Sequence, residues 1–201
     1  MSRSVPHIRI RNVHGRAIDA SGEYVLYWMT AFRRTQWNFS LQRAYEIADE
    51  LNKPLLIFEA LRCDYRWASD RLHGFIIDGM AENARRLSTK AARYYPFVER
   101  ERGAGKGLLA ALAKRAAAVV SDDFPCFFLP RMMRAAAKRI PVRFELVDSN
   151  GILPMRSADK VFARAYDFRR FLQKNLRPHL DEFPEADPLY RKRLPHLEAL
   201  P

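Results

Sequence analysis

A chain of 201 residues that is 48% hydrophobic and 12% aromatic can bury a real core in one or at most two domains, which excludes disorder as its main state. Thirty-five Lys and Arg against 23 Asp and Glu leave a formal net charge of +12, a balance that favours polyanions as neighbours without naming one. Cys63 and Cys126 are too few for a disulfide framework, no Cys and His spacing suits zinc, and Arg3, Arg9, Arg11 and Arg16 break any secretory h-region, so the expectation is a soluble cytoplasmic chain.

Residues 1–22 carry basic side chains, Pro6 and two glycines without periodicity, and are read as a basic N-terminal arm, a solvated leader more than a phosphate-contacting element. Tyr24 to Thr30 is a nearly continuous apolar run suited to a strand covered on both faces. Leu41, Ala44, Ala48 and Leu51 recur at helical spacing behind Asn38, a capping residue, and Lys53-Pro54 stops that helix. Leu55 to Phe58 completes a β-α-β unit, whose crossover should be right-handed.

A long helix is expected from about Trp67 to Thr89, with Leu72, Phe75, Ile76, Met80, Asn83 and Leu87 on one stripe. Arg93 to Val98 reads as a third strand, Leu108 to Ala116 as a helix and Ala117 to Ser121 as a fourth strand. Pro130 opens a helix along Met133, Ala136, Ala137 and Ile140, and Val142 to Val147 alternates as a fifth strand. An amphipathic helix is expected over residues 158–176 through Val161, Ala165, Phe168, Leu172 and Leu176, before a Pro-spaced tail to Pro201. The fold class is α/β, three layers around a five-stranded parallel, Rossmann-like sheet: an α/β domain over 23–157, then a helix and linker over 158–201.

Several motifs fail on inspection. Arg102 to Gly107 resembles a phosphate loop, but Arg100 stands where the early glycine belongs and Gly107 where a Ser or Thr must follow the lysine. Asp122-Asp123 could ligate magnesium, yet adjacent side chains on a strand face opposite ways, so a helix-capping role is preferred. No nucleophile, metal cluster or catalytic residue is expected. Trp28, Trp37 and Trp67 lie near the carboxyl ends of the first two strands, where open α/β sheets bind ligands, and could form an aromatic pocket if core packing does not claim them. Trp28, Met29, Thr30, Arg34, Asn38 and Glu59 are the candidate contacts for a pigment or nucleotide, each at or just beyond a strand end.

Tyr27-Trp28-Met29, Arg34 and Asn38-Phe39-Ser40-Leu41 resemble the opening signature of class II cyclobutane pyrimidine dimer photolyases. Pro54 to Phe58, then Arg71, Phe75, Gly79 and Met80, Pro96-Phe97, Val119 to Asp122, Val147 to Pro154 and Asp159-Lys160 are similar to later stretches of that family, in the same order. Leu72, Phe39 and Gly151 depart from the family pattern, and the segment after Lys160 has no clear counterpart. The resemblance spans roughly Val25 to Pro184 and implies the antenna-type α/β domain, lacking the helical domain that binds FAD and admits the flipped dimer. It implies a possible antenna chromophore of the 8-hydroxy-5-deazaflavin or folate type, FAD only through a partner, a FAD-binding helical half in trans, and damaged DNA as the target of the assembled complex. The alternatives are a stand-alone nucleotide-, deazaflavin- or folate-binding sensory module, and a non-pigmented basic DNA-associated scaffold.

Overall fold

The computed structural model describes residues 4–190 and 194–200; Arg3 and Pro201 lie outside the described residues. Its strands are β1 (Ile10–Asn12), β2 (Tyr24–Met29), β3 (Leu55–Leu61), β4 (Ala92–Val98), β5 (Ala116–Asp122) and β6 (Arg143–Val147). They pair in the order β1-β6-β5-β2-β3-β4, parallel throughout except for β1 against β6. The helices are α1 (Phe39–Glu50), α2 (Asp70–Leu87), α3 (Leu108–Arg115), α4 (Leu129–Ala137) and α5 (Ala165–Asn175).

The central strands β2 and β5 are buried along their whole length, as their unbroken apolar runs require. Val25, Tyr27 and Met29 face Leu41, Ala44 and Ile47 of α1, while Tyr24, Leu26 and Trp28 face Leu112 of α3 and Met133 of α4. One strand thus feeds two cores, and three layers result. From β2 the chain moves outward to β3 and β4, then returns across β2 to β5 and β6. The strand order therefore reverses between β2 and β5, where open α/β sheets place their ligands.

The sheet has six strands, where the sequence pattern showed five. The sixth is β1, in register Ile10 with Val147 through Asn12 with Glu145. Three residues are too few to display a period of two, so this strand is invisible in the hydropathy pattern. Nor is the arm a solvated leader. Val5 is buried and donates its N–H to Glu46 Oε1, and the Arg9 side chain is wholly buried over the Phe39 ring at 4.6 Å. Arg9 donates to Asp148 O and Ile152 O; burial pulls its pKa down, and the Asp148 carboxylate opposes that shift.

Two helices bury less than their stripes suggest. In α2, Met80, Asn83 and Leu87 are buried, but Leu72 and Phe75 of the same stripe are exposed, Phe75 to 78%. Helix α5 starts at Ala165, later than expected, and buries none of its residues; Val161 ahead of it is 95% exposed. The Pro-spaced tail wraps back instead, with Leu189 and Leu194 in the α1 core and Ala186 O accepting from Trp37 N. No helix among the described residues is long and apolar enough to cross a membrane.

Candidate functional site

The crevice at the β2/β5 reversal is closed by the chain itself. Asp122 ends β5 fully buried, and its Oδ2 accepts from the backbone N–H groups of Thr30, Ala31 and Phe32 at 2.9, 2.7 and 3.0 Å. Its Oδ1 accepts the Tyr27 hydroxyl at 2.9 Å. Burial and then the Asp122 charge push that hydroxyl well above its ordinary pKa, so it remains a donor. Asn38 completes the network: its amide donates to Tyr27 Oη, Phe32 O and Arg34 O, while its Oδ1 caps α1 at Ser40 N and Leu41 N. Asp122 is thus a loop clamp and not a helix cap, and Asp123 is held by Arg11 and Arg156. Both carboxylates are engaged by the chain's own donors, with neither presented as a magnesium ligand.

The device recurs at the neighbouring strands. Glu59 of β3 accepts from Arg33 at 2.9 Å, Asn83 at 3.0 Å and Tyr94 at 2.6 Å. Glu99, just past β4, accepts from Cys63 N, Gly103 N and Gly105 N. Asp148, just past β6, accepts from Asn150 N at 2.8 Å and Met155 N at 2.6 Å. Four buried carboxylates at or just past the ends of β3, β4, β5 and β6 therefore grip the loops that leave β2, β3, β4 and β6. In nucleotide-binding α/β folds such N–H groups meet phosphate. Here those of residues 30–32 already hold an anion, and a pyrophosphate entering the crevice would meet negative charge.

Cys63, Asp64 and Glu99 bring three potential metal-ligand atoms within 4.8 Å of one another. The cluster is already neutralised, because Glu99 takes the Cys63 thiol and three N–H groups while Asp64 pairs with Arg62 and Arg102. Burial and the Glu99 charge push the Cys63 thiol up. At Glu99, burial raises the pKa but the hydrogen bonds from Cys63, Gly105 and Gly103 outweigh it, leaving a net depression. A thiol held neutral reacts slowly. Dithionitrobenzoate at pH 7.5 is therefore expected to label exposed Cys126 first, with Cys63 at least tenfold slower; equal rates would contradict the clip.

The predicted contact residues gather at one end of the sheet but do not line one cavity. Trp28 is buried in the α3/α4 core, and Met29 lies in the core on the opposite face. Thr30, Asn38 and Glu59 belong to the clamps. Arg34 is exposed, lies over Phe32 at 5.5 Å and donates to Trp37 O. Nor do the tryptophans share a pocket: Trp37 packs on Phe183 of the tail, and Trp67 meets Phe127 edge-on at 6.0 Å.

What remains open is an aromatic rim on the loops after β3 and β5. Trp67 is 52% and Phe127 74% exposed, Arg66 lies over the indole at 5.5 Å, and Tyr65 packs on both His73 and Phe128. Phe127 adopts φ +59°, a left-handed conformation rare and costly for a bulky residue. The backbone thus holds an apolar ring in water, against the usual preference. Sequence reasoning overlooked Phe127 and Phe128; the available signal was an apolar Cys-Phe-Phe-Leu run ahead of a helix, without helical spacing.

No family model matches the chain. Over 170 residues, 84% of its length, it is 32% identical to the deoxyribodipyrimidine photo-lyase of Methanothermobacter thermautotrophicus. The chain is a homologue of the deoxyribodipyrimidine photo-lyases. The enzyme of that name from Arabidopsis thaliana is 26% identical over 179 residues, 87% of this chain. The matched stretches are 37% and 36% of these two photo-lyases, so the chain spans little more than a third of their length. Asn38, Asp122 and Asp148, which stand in the motifs quoted above, are clamp residues at the strand-end loops.

Proposed function

We propose that this chain is the pigment-carrying α/β half of a class II photolyase-type repair system. It holds a planar antenna chromophore of the 8-hydroxy-5-deazaflavin or folate type against Trp67 and Phe127, and it docks a FAD-binding helical half that reverses cyclobutane pyrimidine dimers in DNA. The observation that carries the reading is the photo-lyase homology over 84% of the chain. The exposed rim supports the pigment, because Trp67 and Phe127 stand half or more in solvent and leave aromatic ring surface on which a planar ligand can stack. The filled crevice supports leaving FAD to the partner, since the pyrophosphate of a dinucleotide does not fit beside Asp122.

Exposed Val161, Tyr166, Phe168, Leu180 and Phe183 supply apolar surface for a partner domain. In such an assembly light-excited reduced FAD supplies an electron to the dimer, and this chain contributes position. Trp67 and Phe127 orient the pigment, Asp122 and Asn38 hold the loop of residues 30–34 in place, and the α5 region bears on the helical half.

The test is repair of ultraviolet-irradiated duplex by a FAD-loaded helical half with and without this chain. Faster dimer loss in blue light when the chain and a deazaflavin are added, and none in the dark, is expected. A rate unchanged by the chain would overturn the proposal.

A further inference from the structure

The charge of this protein is unevenly placed. Residues 102–143 hold nine Lys and Arg against two carboxylates, a net of +7 from a fifth of the chain. Those two acids are Asp122, wholly buried, and Asp123, already bound by Arg11 and Arg156. Helices α3 and α4 of this stretch pack on the same face of the sheet. The opposite layer is balanced or acidic: α1 has Arg43 against Glu46, Asp49 and Glu50, and residues 181–187 of the tail carry four acids and no cation.

Within the cationic layer the side chains sort by helical position. Met133, Ala136 and Ile140 point into the core, which turns Arg131, Arg134 and Lys138 outward on one face. Among the described residues, Lys106, Lys114, Arg131, Arg134, Lys138 and Arg139 form no ion pair, whereas twelve of the other 21 described arginines do. Keeping like charges together without counter-charges costs energy unless a polyanion supplies them. Arg131 to Lys138 spans roughly 10 Å at 1.5 Å per residue. Duplex DNA offers one negative charge per ~1.7 Å of axis, a density that ordinary acidic protein surface does not sustain.

We infer that the outer face of α3 and α4 binds the phosphate backbone of duplex nucleic acid without reading its sequence. The surface adjoins the aromatic rim at the start of α4, where Phe128 precedes Leu129, but its binding of phosphates needs neither pigment nor partner.

The test measures binding of the full chain to an undamaged 30-base-pair duplex in the dark, across a salt series. Arg131→Gln/Arg134→Gln/Lys138→Gln is compared with Arg169→Gln/Lys174→Gln/Arg177→Gln, which removes the same charge elsewhere, and with Lys106→Gln/Lys114→Gln, in the turn before α3 and on α3. Each phosphate contact contributes about 0.9 to the slope of log affinity against log salt. The α4 variant is expected to lose two to three units of slope and at least tenfold in affinity at 100 mM salt, the α3 variant one to two units, and the control less than threefold in affinity. Equal losses in the α4 variant and the control would reduce the effect to net charge and overturn the inference. So would absence of duplex binding at 50 mM salt, or stripe-dependent binding of polyglutamate alone, which would assign the layer to an acidic protein. Because the duplex is undamaged and the measurement is dark, failure here leaves the repair proposal standing, and the reverse also holds.

Discussion

Replacing Asp122 with Ala is expected to destabilise the protein by about 3–5 kcal/mol, because several buried donors lose one charged acceptor at once. Three consecutive N–H groups and the Tyr27 hydroxyl would lose their acceptor together, each at about 1–3 kcal/mol if nothing replaces it. Asp122→Asn should cost less, about 1–2 kcal/mol, because an amide oxygen can still face residues 30–32 while its NH2 group turns toward Tyr27 Oη. Urea denaturation of the two variants checks the order. An Asp122→Ala variant within 1 kcal/mol of the parent would contradict the clamp as described.

The second large effect is expected at Gly22. A Cβ there would lie 2.3 Å from Ala117 N and 2.5 Å from Ala116 C and Ala117 Cα, all backbone atoms that cannot rotate away. The strain falls beside the irregular pairing between Tyr24 and Val25 at the start of β2. Gly22→Ala is expected to cost about 2–4 kcal/mol, at the upper end for overpacking, since the edge of a central strand must move. Gly74→Ala and Gly79→Ala supply the contrast. Both sites lie in α2, neither would bring a Cβ within 4 Å of a neighbour, and each should stabilise by about 0.5–1 kcal/mol through helix propensity. Thermal melting of the three variants should separate them in sign.

Five of the six strands and the three-layer arrangement were legible because long apolar runs in β2, β3 and β5 admit few alternatives once helical stripes stand between them. The antiparallel β1 was not, since its place depends on Arg9 reaching Asp148 and Ile152 more than 130 residues away. At the strand ends the sequence identified Asn38 and Glu59 by position, but position does not reveal direction. Whether a carboxylate turns toward a ligand or back onto its own loop is decided by long-range partners such as Asn83 and Tyr94 for Glu59. The α2 stripe failed for a related reason: periodicity shows that Leu72, Phe75 and Met80 share a face, not where the sheet beneath them ends.

The most direct measurement is an absorption and fluorescence titration of the chain with 8-hydroxy-5-deazaflavin, a reduced folate and FAD in turn, on the parent and on Trp67→Ala/Phe127→Ala. A shifted band with deazaflavin or folate, none with FAD, and loss of the shift in the double variant is the expected result. Flat spectra with all three, or a shift that survives removal of both rings, would contradict a pigment site on the aromatic rim.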